Sequence, residues 1–195
     1  MDQVAGTPST RLPLQIFTVG HSDHTLEEFH SLLRKHGIGL IVDVRSQPYS
    51  QWVPQFNREN LVRSLTEAGL HYHFLGDKLG GRPADRTMYD PGQEFPDYER
   101  LAASSTYLDG ITRLLALASD AASAKERQGA ENSAPDSQGE AQRVAILCSE
   151  GDFRKCHRGK LITPTLLRRG VRVTHIQPDG TLVEADLEPR QLAFL

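Results

Sequence analysis

Residues 38 to 44 read Ile38-Gly39-Leu40-Ile41-Val42-Asp43-Val44, and this run decides the fold class. A nearly continuous apolar strand must be covered on both faces, and such strands belong to parallel sheets. A parallel partner needs a crossover, most often a helix. One is legible on each side. Upstream, Thr25-Leu26-Glu27-Glu28 spells a capping box, in which the Thr25 hydroxyl serves a free helix N–H and Glu28 reaches back. Leu26, Phe29, Leu32 and Leu33 then share one helical face, and Gly37 ends the helix. Downstream, Asn57 is placed to cap a helix carrying Leu61, Val62 and Leu65, which Gly69 ends.

The same reading extends outward. Ile16–Val19, Leu70–Leu75, Arg143–Leu147 and Val171–Ile176 are further strand candidates. Asp97 to about Ala118 and Leu161–Arg169 are helical, with Pro164 kinking the second or delaying its start. Pro178-Asp179-Gly180 turns the chain back into Thr181-Leu182-Val183, a short edge strand. The alternating order predicts an α/β fold: a three-layer, mainly parallel, Rossmann-like sheet with helices on both faces. Residues 1–13 read as a loose arm and 14–195 as one domain. No large apolar residue occurs between Leu117 and Val144, so 120–142 reads as a disordered polar insertion.

Composition narrows the function. The formal charge of −3 argues against broad nucleic-acid binding, which needs a basic surface. Both cysteines lie eight positions apart, too few for a secreted disulfide framework. The N-terminus has no apolar core of signal-peptide length, and no apolar run approaches a membrane span. The expected setting is the cytoplasm, without membrane contact and without a cofactor. The sequence sets no oligomeric state.

In open parallel sheets, ligands bind beyond the carboxyl ends of the strands. Strand one leads to Gly20, His21 and Ser22. Strand two ends in Asp43, Val44 and Arg45, followed by Ser46, Pro48 and Ser50. Strand three leads to Gly76, Asp77, Lys78, Gly80, Gly81 and Arg82. Strand four ends at Cys148 and Glu150, followed by Cys156, His157 and Arg158. These groups are expected to converge on one rim.

Thr18-Val19-Gly20-His21-Ser22, Val42-Asp43-Val44-Arg45 with Pro48 and Ser50, Leu79-Gly80-Gly81, and Cys148-x-Glu150 with Cys156-His157-Arg158 together resemble the domain-of-unknown-function family 488. The resemblance runs from about Ile16 to Ile176. It implies an α/β fold and a shared rim site, and no established reaction. Two departures stand out. The family segment carries Pro where Phe153 stands, and the polar stretch before strand four is atypical.

Several chemistries fit these residues. In the first, an enzyme acts on an anionic small molecule or nucleotide. Arg45, Arg82 and Arg158 would clamp the anion, with Ser46, Ser50, Gly80, Gly81, Cys156 and His157 lining the site. The N-terminus of a helix starting near Cys156 would face the same place. Glu150 and Asp43 would serve as acid and base beside His21, and Cys148 as a possible nucleophile. The competing reading is a non-catalytic module that binds an anionic ligand or a nucleic-acid end. A bland alternative is an arginine–carboxylate network, such as Asp43 with Arg158, that only pins loops. Cys148, Cys156, His157 and His21 could instead hold a metal, although short C-x-x-C pairs are lacking. Cys148 to Arg154 also spells the C-x5-R of cysteine phosphatases. Finally, the two cysteines could form a redox pair, or Cys148 could be a buried small hydrophobe.

Overall fold

A computed structural model describes residues 13–128 and 143–187. Six strands form one sheet: β1 (Gln15–Gly20), β2 (Ile38–Asp43), β3 (His71–Phe74), β4 (Arg143–Cys148), β5 (Arg172–Ile176) and β6 (Leu182–Glu184). Their order is β3-β2-β4-β1-β5-β6, with every pairing parallel except β5 with β6. The helices are α1 (Leu26–Lys35), α2 (Arg58–Glu67), α3 (Gly76–Leu79), α4 (Tyr98–Ala103), α5 (Ser105–Gln128) and α6 (Thr163–Leu167).

Strand residues alternate between two apolar clusters, as side chains on a pleated strand must. Ile16, Val42, Val44, Val144, Ile146 and Val173 pack with Tyr107, Ile111 and Leu114 of α5 and with Leu161, Ile162 and Leu166. Phe17, Val19, Ile41, Ala145 and Leu147 pack with Phe29, Leu32 and Leu33 of α1 and with Leu61 and Leu65 of α2. Each large side chain so buried stabilises the fold by about 1.5–3 kcal/mol relative to exposure.

This division of helices fixes where a site can form. β1 and β2 are each followed by a helix of one cluster, α1 and α2. β4 is followed by α6, which belongs to the other. β4 lies between β1 and β2, so the chain leaves its carboxyl end in the opposite direction from both neighbours. A divergence of this kind marks the place at which open α/β sheets bind ligands.

Local signals behave as their chemistry dictates, with instructive exceptions. The capping box forms: the Thr25 backbone N–H donates to Glu28 at 2.8 Å, and the Glu28 N–H donates to the Thr25 hydroxyl at 3.2 Å. Asn57 occupies the cap position of α2 but does not cap it. Its carbonyl oxygen instead accepts from the Ser50 N–H at 2.6 Å, tying down the loop. The expected helix from Asp97 is broken at Ser104, after which α5 runs on to Gln128. Residues 120–128 are therefore helical, contrary to the expectation of disorder. Ala, Lys, Glu, Arg and Gln are polar or small, yet they are strong helix formers. The remainder of the expected insertion, 129–142, and nearly all of the expected arm lie outside the described residues.

The last helix begins earlier than expected. Arg158–Ile162 is π-helical and runs into α6. Pro164 has no N–H to donate to the preceding turn. The Thr163 N–H reaches back to the Arg158 carbonyl instead, and the Thr163 hydroxyl donates to the same oxygen at 2.7 Å. A π-turn at this point is the backbone solution to a proline one residue further on. Among the described residues, no helix is long and apolar enough to cross a membrane.

Candidate active site

The two thiols meet at the end of β4. The Cys156 thiol donates to the Cys148 sulfur across 2.9 Å, and both side chains are buried and free. His157 lies beside them, its Nδ1 at 3.6 Å from the Cys148 sulfur and 3.8 Å from the Cys156 sulfur. The opposite nitrogen, Nε2, lies 3.1 Å from the Val44 carbonyl. A carbonyl only accepts, so Nε2 carries a proton and Nδ1 is the ring nitrogen left to take or give a proton at the sulfurs. The β2 backbone thereby sets the tautomer used at β4.

Arg158 closes the other side. It is 1% exposed. Its Nη1 donates to the Glu150 carbonyl and its Nη2 to the Gly151 carbonyl at 2.8 Å. Nη1 also lies 3.8 Å from the Cys156 sulfur, and the Arg158 backbone N–H donates to that sulfur at 3.3 Å. Nε is buried without a partner. No carboxylate pairs with this guanidinium among the described residues. A buried charge needs an opposite charge nearby. Cys148 supplies it: the hydrogen bond from Cys156, the His157 ring and the Arg158 charge hold its thiol well below the usual range, although burial opposes them. Cys156 is pushed strongly the other way, first by donating to Cys148 and then by burial.

Close backbone approach explains two glycines. A Cβ on Gly81 would strike the His157 ring at 2.6 Å from Cγ, and one on Gly20 would collide with the Glu150 carbonyl. The loop after β3 and the end of β1 can therefore pack against the thiol segment only as glycine. Ser22 follows at φ 50, a strained value for a residue with a side chain, while its N–H donates to the Ser149 carbonyl at 2.9 Å.

The other sequence-selected residues fall into separate groups. Asp43 and Arg45 pair with each other: Arg45 Nε and Nη2 donate to the two carboxylate oxygens at 2.9 and 2.6 Å. Tyr72 donates to Asp43 at 2.9 Å, and Arg45 Nη1 donates to the Phe56 carbonyl at 3.0 Å. The suggested pair of Asp43 with Arg158 does not form; Asp43 and Arg45 stand two positions apart at one strand end, and that partner wins. His21 stacks on Phe56 with ring centroids 4.4 Å apart and donates from Nδ1 to the Ser22 carbonyl at 2.8 Å. Burial first, and then the Arg45 charge, pull His21 down to about 4. It is neutral at physiological pH.

Ser46 accepts from the Arg82 N–H at 2.9 Å and lies against Gly80, whereas Ser50 accepts from the Trp52 and Val53 N–H groups. Both serines shape loops. The Arg82 side chain is exposed, paired with Glu94 at 2.9 Å and set over Phe95. The Glu150 side chain is exposed, and its carbonyl is what contacts Arg158. Arg154 pairs with Asp152 at 2.9 Å on the surface and is 76% exposed. The C-x5-R reading therefore loses its arginine, since a short turn at Phe153–Lys155 aims it away. Of the aromatic loop, Tyr49 and Trp52 are exposed and Phe56 is core. His30 bonds Ser64 and His36 bonds the Gly180 carbonyl, so neither is freely solvated.

A model of the domain of unknown function family DUF488 matches residues 25–124. The chain belongs to this family. No curated protein and no solved structure matches it. The DUF488 match contains Asp43, Arg45, Ser46, Ser50, Gly80 and Gly81, and it stops short of β4. Both thiols thus lie in the part of the chain outside the match.

Three contributors escaped the sequence reading of this DUF488 protein. Val44 acts through its carbonyl, which no side-chain pattern reveals. His175 of β5 stacks on Phe153, with ring centroids 3.6 Å apart, and its Nδ1 lies 2.8 Å from the Thr18 hydroxyl. Burial and the nearby Arg158 charge draw it down to about 4. Tyr98 is half-buried near the sulfurs, and burial followed by their charge raises its phenol. Phe153 covers His175 through this stack.

Cys148, Cys156 and His157 are also the group of potential metal ligands among the described residues, with donor atoms within 4.8 Å of one another. Zinc–sulfur bonds of about 2.3 Å in a tetrahedron put two sulfurs roughly 3.7 Å apart. The 2.9 Å separation of the two sulfurs falls short of that spacing.

Proposed function

We propose that this protein is an enzyme that uses Cys148 as its nucleophile on a small electrophile whose negative charge, resident or developing, is offset by Arg158. The observation that carries the reading is His157: its Nε2 is fixed by Val44 and its Nδ1 faces the Cys148 sulfur at 3.6 Å. A thiolate is the reactive form of cysteine, and an adjacent base with a fixed third partner is the usual way to make one. His157 takes the acid–base role in this scheme. Glu150 stands at the mouth, and Arg45 serves as support for the β2 end.

The buried guanidinium favours the anionic or nucleotide class of substrate over a non-catalytic binding module. Its Nη1 and Nη2 are engaged by carbonyls and sulfur and its Nε is buried, so it acts on a substrate through its field. The fold behind the reading is three-layer and Rossmann-like, supported by one apolar cluster on each face of the sheet. Two adjacent free thiols favour a reducing compartment, the cytoplasm.

Competition between alkylating agents of equal size tests the proposal. Iodoacetate and iodoacetamide differ mainly in charge. Relative to a free cysteine, Cys148 should show a preference shifted toward iodoacetate, and Arg158→Met should abolish that shift. Equal preference in both proteins, or no selective labelling of Cys148, would remove the basis for an anion-directed nucleophile.

A further inference from the structure

A nucleophile alone does not need the second thiol. We propose that Cys156 is a resolving thiol, and that the site reduces a small two-electron oxidant of the hydroperoxide class through a Cys148–Cys156 disulfide. The proposal rests on the nucleophile reading above and goes further by naming the substrate class.

Position is the first argument. The sulfurs are 2.9 Å apart, and a disulfide needs about 2.05 Å. Closing that gap requires less than 1 Å of movement. The placement of His157 is the second. Nδ1 is nearly equidistant from the sulfurs, at 3.6 and 3.8 Å, so one ring can exchange protons with either. Access is the third. Cys148 is 6% and Cys156 3% exposed, which admits a peroxide and excludes a bulky protein disulfide.

The steps balance. The Cys148 thiolate attacks one peroxide oxygen; the O–O bond breaks and an S–O bond forms. The departing oxyanion leaves as water or alcohol with the proton that His157 Nδ1 took from the Cys148 thiol, stabilised by the field of Arg158. The Cys148 sulfur has lost two electrons and is now a sulfenic acid. The Cys156 thiol then gives its proton to His157 and its sulfur attacks Cys148. The S–S bond forms, the S–O bond breaks, and hydroxide departs with that proton as water. Two external thiols of low molecular weight restore the dithiol by exchange and end as their own disulfide. Cys156 is held as a thiol by the hydrogen bond it gives to the Cys148 thiolate. Oxidation of Cys148 removes that acceptor at the moment when Cys156 must react.

The test treats the full chain with one equivalent of hydrogen peroxide, then counts thiols and maps peptides by mass. The expected product loses two hydrogens and links Cys148 to Cys156, and a dithiol reverses it. Cys156→Ser should stop at a sulfenic acid that dimedone traps, and thiol-dependent peroxide consumption should fall by about tenfold or more. The wild-type thiol count stands even if that variant fails to fold. The proposal is overturned if Cys148 alkylates readily yet peroxide drives it to sulfinic acid while Cys156 stays free. It is equally overturned if the isolated protein carries one equivalent of zinc that Cys156→Ser loses. Absence of selective Cys148 alkylation would instead defeat the underlying nucleophile reading.

Discussion

Arg45 and Arg158 are both buried at neighbouring strand ends, and they are neutralised by different means. Arg45 has a carboxylate, Asp43, in a two-pronged pair, with Tyr72 and the Phe56 carbonyl satisfying the rest. Arg158 has backbone carbonyls, a sulfur and an unpartnered Nε. The first arrangement is closed, so its charge is spent on holding β2 and its loop. In the proposed reading, the second leaves a positive field that the Cys148 thiolate answers. Each arginine also faces a neutral histidine, His21 beside Arg45 and His175 beside Arg158. The difference between a carboxylate and a thiol as counter-charge separates support from chemistry.

The largest expected effect is on reactivity. Cys148→Ser should reduce alkylation of the site to background, measured by peptide mapping, while far-UV circular dichroism is unchanged. The same substitution should leave the Asp43–Arg45 group untouched. Loss of the fold would mean that the two ends are one structural unit.

Stability should divide the arginines next. Asp43→Ala strands a buried guanidinium and should cost about 3–5 kcal/mol by urea denaturation. Arg158→Met strands neutral carbonyls and a thiolate that can take up a proton, and should cost about 1–3 kcal/mol. Equal losses would erase the distinction between the two ends.

Acid should then weaken both ends together. His21 and His175 sit near 4 in the fold and near 6.5 when unfolded. Between those values the unfolded chain binds more protons, so stability falls as pH drops from about 6.5 toward 4. Each histidine contributes at most about 3 kcal/mol to that fall. His175→Gln should remove one share of the slope in a pH series of melting temperatures, and a slope unchanged by it would place the titration elsewhere. The smallest effect belongs to Glu150→Gln. Its carboxylate is exposed, and screening should hold the change in Cys148 alkylation rate below about twofold. A large loss would return the acid–base role to Glu150.

Much of this fold was written in local chemistry. The apolar run at Ile38–Val44 and the capping box at Thr25 produced β2 and α1 because each depends on neighbours in sequence. The rim residues His21, Asp43, Cys148 and Arg158 were selected from strand ends, and strand ends are legible once the strands are. Pairing among them was not. Asp43 chose Arg45 over Arg158, and Arg154 turned outward, through loop geometry that residue types do not encode. The His157 contact with Val44 is a backbone interaction across 113 positions. Helicity at 120–128 was missed because strong helix formers without apolar periodicity read as polar filler.

The central claim is that Cys148 is a thiolate held by His157 and Arg158. Its most direct test is the rate of Cys148 alkylation by iodoacetamide as a function of pH, in the wild type and in His157→Ala. The account predicts a wild-type midpoint well below that of an ordinary cysteine, and an upward shift in the variant. A wild-type midpoint at the ordinary value of about 8.5, unmoved by His157→Ala, would contradict it.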